Sequence, residues 1–269
     1  MLYLNTSSDH DNIVFVKLGG SFITYKDKPY SINYVALKKT VDILSSVYGK
    51  TSILLGNGGG SFAHFVVEKY KMYDKKILLV NCHRVTRLLN SIIVDYLLDH
   101  GLLVSTMQTS AIIYGGVKGF ESFIKPLKYL LRNNIIPSIY GECIIDENEV
   151  VRIMSTEEVF SILAKYINVS RIVLLTDVEG VYTCDPKKCD DAELIPRIDK
   201  SNIDTVLSRL NETMYMDETG SIYGKVKYMA DLSENLEIPV FIVSGFDVEN
   251  AVNAILYGKV SRGTVIDMS

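Results

Sequence analysis

The chain has 269 residues, 48% of them hydrophobic and 22% charged, with a formal net charge of -4. A chain of this length buries roughly three quarters of its unfolded surface and needs no disulfides to fold, and the acidic balance argues against a general nucleic-acid surface. No apolar run reaches the roughly 18 residues of a membrane span, and the opening MLYLNTSSDHDN lacks the basic start and apolar stretch of a signal peptide, so a short frayed start is expected.

In chain order, the first predicted strand is Ile13 to Leu18, followed by the loop GGSFITYKDKPY and a helix from Ile32 to Val47 with Val35, Leu37, Val41, Leu44 and Val47 near helical spacing. Thr51 to Leu55 reads as a strand that runs into GNGGGS and a helix from about Ser61 to Tyr70. A long amphipathic segment, Ile77 to His100, ends at Gly101. Leu102 to Thr106 is a strand, Phe123 to Arg132 a helix, and IIPSIY with ECIID a strand and hairpin. Glu157 to Tyr166 is helical, and the apolar run Arg171 to Thr176 is a fully buried strand. Pro239 to Ser244 is a strand, Val248 to Leu256 a helix, and GTVI a last short strand. Strands separated by helical patterns predict a mainly parallel α/β sheet covered on both faces. A division near Asn168 separates an N-terminal lobe, about 1–168, from a C-terminal lobe, about 169–269, within one domain.

Two glycine-rich loops leave strands, Gly19-Gly20-Ser21 and Gly56 to Ser61, and the second opens a helix. Glycine lets backbone N–H groups approach an anion, and a helix N-terminus adds unpaired donors. One such loop is as easily a tight turn; two point to two anionic groups, a donor phosphate and an acceptor. Neither is a Walker motif, and the dinucleotide fingerprint lacks its last glycine. Lys17 ends the first strand beside its loop, with Lys26 and Lys28 further along it. Lys28 reads as solvated. Lys225 and Lys227 follow a turn at Gly220 and offer another cationic edge. Phosphoryl transfer depends mostly on positioning and on neutralising charge, so lysines on both sides of a site suit it. His64, on the first turn after Gly60 and Ser61, is placed to donate to an anion held by the loop; His10, His83 and His100 have no such setting. Thr176 to Tyr182, then Asp185-Pro186, leave a buried strand where open α/β folds bind nucleotides, although an ordinary aspartate-capped turn would look similar. The cysteines, Cys82, Cys143, Cys184 and Cys189, are scattered, which predicts a reducing cytoplasmic setting. The gap between Cys184 and Cys189 is wide for a zinc knuckle, so no metal site is expected there.

Taken together, KLGGSFIT with Lys26, GGGSFAH, TDVEGVYTCDPKK, DETGSIYGKV, VSG and GTVI resemble, in order over nearly the whole chain, the amino-acid kinase superfamily and within it the isopentenyl phosphate kinase branch. The resemblance implies an open αβα sandwich, usually a homodimer in the cytoplasm, that transfers phosphate from ATP with magnesium to isopentenyl phosphate in isoprenoid biosynthesis. It implies no nucleic-acid or membrane partner. By position, Lys17, Lys26 and Lys225 would stabilise the transferring charge. His64 with Gly58, Gly59, Gly60 and Ser61 would hold the acceptor phosphate, and Gly19, Gly20 and Ser21 would cradle the ATP phosphates. Thr176, Asp177, Tyr182, Asp185, Pro186 and Lys225 would line the nucleotide site. The prenyl tail would need an apolar pocket, which the helices from Ile77 to Leu98 could supply, as could any packed helix pair. The sequence departs from the pattern at Asn57, where a histidine is usual, at Ala63, at Ser221 and Ile222, and at MSTEEV in place of S-G-D, where Glu157 would take the role of an aspartate that orients the lysines. A fosfomycin-type phosphonate kinase and a catalytically silent nucleotide-binding regulator are the alternatives.

Overall fold

A computed structural model describes residues 13–113, 120–145, 149–212 and 222–269. The expected frayed start, Gly220 and Ser221 lie outside these residues.

The first half contains β1 (Ile13–Leu18), α1 (Gly20–Ile23), α2 (Tyr34–Val47), β2 (Ser52–Asn57), α3 (Gly60–Tyr70) and the long α4 (Lys75–Asp99). It continues through β3 (Val104–Thr106), α5 (Thr109–Ile112), α6 (Phe120–Arg132) and β4 (Ile136–Tyr140) to a hairpin of β5 (Glu142–Ile145) and β6 (Val151–Met154), then α7 (Thr156–Ala164). The second half holds β7 (Val169–Thr176), β8 (Arg197–Ile198), α8 (Ile203–Glu212), α9 (Ile222–Leu236), β9 (Val240–Ser244), α10 (Val248–Tyr257) and β10 (Thr264–Ile266).

Eight strands form one sheet in the order β3-β4-β2-β1-β7-β9-β10-β8. It is parallel from β3 to β9, and β10 runs antiparallel to β9. The strand alternation sorts side chains into two cores. Phe15, Leu54, Ile172, Leu174 and Ile242 face one, beneath α6, α7, α8 and α9. Val14, Val16, Ile53, Leu55, Val173 and Leu175 face the other, beneath α2, α3, α4 and α10. Both faces are covered, which is why the central strands read as unbroken apolar runs. The αβα sandwich expected from the sequence is the fold observed.

Local chemistry sets the element ends. Asn33 accepts from Ala36 N at 3.2 Å and so starts α2 at Tyr34 rather than Ile32, which instead bridges to Thr24. Ser155 and Glu158 form a reciprocal capping box at α7. α8 and α9 were not anticipated, although Ile203, Val206, Leu207 and Leu210 carry the i, i+3, i+4, i+7 spacing of a helix face.

Two features were not anticipated. α4 is 25 residues long, and by length and composition alone it is apolar enough to cross a membrane. Its apolar residues Leu78, Cys82, Val85, Leu89, Ile93 and Leu97 are buried against the rest of the fold, and Arg84, Arg87 and Asp95 interrupt the run, so it is a core helix here. Cys184 and Cys189 are joined by a disulfide with Cα atoms 6.2 Å apart, a pairing the sequence reading did not weigh. The turn between them brings the thiols together, because Lys188 N and Cys189 N both donate to Asp185 O. Cys82 and Cys143 are free and buried.

Candidate active site

Three neighbouring strand ends build the site. Lys17 on β1 lies opposite Gly56 on β2 and Leu174 on β7, and Leu18 opposite Asn57 and Leu175. β2 and β7 flank β1 on opposite sides, so a crevice opens at the carboxyl ends of these strands. Each glycine loop is tied to its neighbour: Gly19 N donates to Leu175 O at 2.8 Å, and Gly58 N to Leu18 O at 2.9 Å. The two loops touch. A Cβ on Gly20 would stand 2.6 Å from Gly60 N, and one on Gly58 would stand 2.9 Å from Gly20 N. Gly60 adopts φ +48°, and a Cβ there would lie 2.3 Å from Thr24 Oγ1, so both its backbone and its space require glycine. Thr24, which the sequence reading passed over, staples the loops. Its Oγ1 donates to Gly20 O at 2.7 Å and accepts from Ser61 N at 2.9 Å. Gly20→Ala is therefore expected to destabilise the protein by about 1–3 kcal/mol, read from denaturant unfolding, and an unchanged midpoint would show that the loops separate freely.

Of the expected acceptor-side donors, Gly58 N–H and Ser61 N–H are committed within the protein, and Ser61 Oγ faces Ser31. Among the described residues, the N–H groups of Gly59 and Gly60 have no protein acceptor. They are the loop's donors not spent within the protein.

The charged residues converge. Lys17 forms an ion pair with Glu157 on the first turn of α7, and both side chains are largely buried. Burial alone would push the Glu157 carboxyl up, but Lys17, then its own backbone N–H and the Lys225 charge, hold it below its usual range, so it stays ionised. The longer glutamate thus reaches the lysine that the S-G-D departure had put in doubt. Lys225 sits on α9, not on a loop edge. Although the residue is largely exposed, desolvation of its ammonium, then the charges of Lys17 and Lys26, lower its pKa. His64, on the first turn of α3, has its pKa lowered by desolvation and by Lys225 and Lys26. The ring is therefore mainly neutral at pH 7 and donates through one N–H. Lys26→Gln is expected to move the His64 pKa back up toward 6.5, measured by histidine proton NMR titration; an unmoved titration would place Lys26 outside the site.

On the nucleotide side, Asp177 accepts hydrogen bonds from Lys187 and Ser21. These, with the Lys187 and Lys26 charges, overcome burial and hold its carboxyl below the usual range. Lys187 was not singled out in the sequence, although it stands in the quoted segment TDVEGVYTCDPKK. The neighbouring groups shape that segment. Thr176 Oγ1 donates to Val178 O at 2.6 Å, Tyr182 donates to the Glu179 carboxylate, and Asp185 Oδ1 accepts from Lys187 N at 3.0 Å. Pro186 lies in the turn closed by the disulfide. His83 and His100 contact the carbonyls of Cys143 and Tyr96, the structural roles expected of them.

Two touching glycine loops at parallel strand ends, with Lys17, Lys26 and Lys225 converging on them, fit a phosphoryl-transfer enzyme of the α/β class. Residues 12–244 match the model of the Amino acid kinase family, and the chain belongs to that family. It is similar to the isopentenyl phosphate kinase of Methanocaldococcus jannaschii, 31% identical over 96% of this chain and 99% of the relative. The isopentenyl phosphate kinase of Methanothermobacter thermautotrophicus is 27% identical over 94% and 98%. A crystal structure of an isopentenyl phosphate kinase substrate complex superposes with a TM-score of 0.72 at 26% identity, covering 94% of this chain and 99% of that one.

Proposed function

We propose that the protein phosphorylates isopentenyl phosphate with ATP, giving isopentenyl diphosphate and ADP. The observation that carries this reading is the contact between the two glycine loops. It would set a donor phosphate on the backbone of Gly20 and Ser21, the Gly19 N–H being taken by Leu175 O, beside an acceptor phosphate on Gly59, Gly60 and His64. An acceptor phosphate oxygen attacks the γ-phosphorus, and the bond to the β,γ-bridging oxygen breaks with its electrons leaving on ADP. The acceptor is already anionic, so no general base is required. Lys17, held by Glu157, and the Lys26 and Lys225 charges offset the negative charge of the transferring group.

The acceptor's tail matches the surroundings of His64. One turn further along α3, Val67 and then Tyr70 pack with Leu78, Leu79 and Cys82 of α4 and with Cys143 and Val151 of the hairpin. This apolar body supports a small hydrocarbon substituent. The charge on ATP calls for magnesium, but Glu157 and Asp177 are each paired with a lysine. We assign the metal no protein ligand from the described residues and place it on the nucleotide phosphates. We also infer a cytoplasmic location, where ATP is available, and a homodimer, for which the exposed Val80, Leu88 and Leu103 give a second copy apolar surface to cover.

ADP release from ATP, magnesium and isopentenyl phosphate, with fosfomycin in parallel, tests the reading. Selective turnover of isopentenyl phosphate is expected. Turnover of fosfomycin alone would move the assignment to phosphonates, and ATP binding without turnover of either would favour a regulator.

A further inference from the structure

The acceptor loop is held from behind by a buried polar network that no charge or ligand requires. Asn57 is the last residue of β2, immediately before the loop, and is 1% exposed; Asn90, in the middle of α4, is 0% exposed. Asn90 Nδ2 donates to Asn57 Oδ1 at 2.9 Å and to Ser138 Oγ at 2.8 Å, and its Oδ1 accepts from Thr106 Oγ1 at 2.7 Å. With Oδ1 of Asn57 fixed as an acceptor, its Nδ2 is the donor that faces the loop, 3.3 Å from Gly58 O. The Asn57 carbonyl is anchored as well, by Thr156 Oγ1 at 2.7 Å. Buried polar groups cost stability unless fully paired, and an apolar pair of the same shape would hold α4 against β2 equally well. What an apolar pair cannot do is orient a peptide.

A trans peptide is rigid and planar, and its C=O and N–H point in opposite directions. Holding Gly58 O toward Asn57 therefore turns the Gly59 N–H the other way, away from Asn57. Glycine on both sides of that bond has almost no intrinsic preference for this orientation. We propose that Asn57 and Asn90 are positioning residues for the acceptor phosphate: they set the Gly58–Gly59 peptide so that the Gly59 N–H faces the anion. The inference rests on the reading of this loop as the acceptor site. It also gives Asn57, which departs from the histidine expected at that place, a role of its own.

Asn57→Ala removes the donor to Gly58 O without adding charge, and Asn57→Asp keeps the acceptor for Asn90 while placing an oxygen against the Gly58 carbonyl. Both are expected to raise the KM for isopentenyl phosphate about tenfold or more, with the KM for ATP changed less than about twofold, since one directed hydrogen bond is at stake. Ser138→Ala loosens Asn90 from its far side only and is expected to shift the acceptor KM less than either. Parallel rises in both KM values would mean general loosening and overturn the proposal, as would an unchanged acceptor KM in a folded variant. If the wild-type protein does not turn over isopentenyl phosphate, the functional reading fails separately. Calorimetric titration with inorganic phosphate then decides, with weaker binding to Asn57→Ala expected and equal binding, or none to the wild type, overturning the role of the loop.

Discussion

Replacing Lys17 with methionine is expected to lower kcat by about 10²–10³-fold, the usual cost of removing one preorganised electrostatic contact to a developing charge. Methionine keeps an unbranched apolar stem of similar length, so the end of β1 stays packed. The ammonium is lost, and Glu157 is left as an unpaired, buried carboxylate. The same variant carries a stability signature. With Lys17 present, the folded-state pKa of Glu157 lies below its ordinary value of 4.5. That pair contributes stability above the unfolded-state pKa and loses it as pH falls through the folded-state value. Without Lys17, burial dominates and the carboxyl pKa rises above its unfolded-state value, so the folded state binds the proton more tightly and the variant's deficit relative to the wild type is largest near pH 7 and shrinks as pH falls. A thermal melt series from pH 7 to 4 reads this directly. A stability difference between wild type and variant that does not change with pH would show that the ion pair does not form in solution, and unchanged kcat would take Lys17 out of the transition state.

His64→Ala is expected to cut turnover by about 10²-fold while leaving ATP affinity nearly intact. The reason is position. His64 lies on the first turn of α3, directly after the second glycine loop, and its pKa is lowered by desolvation and then by the charges of Lys225 and Lys26. Loss of the ring removes a donor to the acceptor phosphate and leaves the contact between Gly19 and Leu175 untouched. Steady-state kinetics in both substrates, with ATP binding measured by calorimetry, separate the two effects. Unchanged turnover would remove His64 from the mechanism.

What the sequence made legible was whatever recurs at short spacing. The two glycine loops, the lysine at the end of β1 and His64 one turn into α3 lie in contiguous segments, and their backbone roles follow from residue type. The strands were readable because both faces are buried and the runs are apolar throughout. The Lys17–Glu157 pair joins residues 140 positions apart, and no local pattern carries that information; the family resemblance pointed to it and the fold supplied the distance. The hydroxyl of Thr24 and the amides of Asn57 and Asn90 stayed hidden for a related reason. Their importance lies in which backbone atom they meet, and that is decided by the register of β1, β2 and β4. Lys225 was read only as following a turn at Gly220, because the apolar spacing of α9, with Val226, Met229 and Ala230 buried, was overlooked. The disulfide was missed because its two cysteines were weighed for metal spacing rather than for the reversal of chain between them.

The contact between Gly20 and Gly60 means that the two substrates share one wall. Neither loop has side-chain bulk to absorb a displacement, and Thr24 bonds to both. On the proposed reading, a shift of the first loop on meeting nucleotide would therefore be passed as a backbone movement to the second. Whatever factor ATP applies to the affinity for the acceptor, the acceptor must apply to ATP. The order in which the substrates arrive then leaves the stability of the ternary complex unchanged, and departure of one product resets the wall against which the other is held.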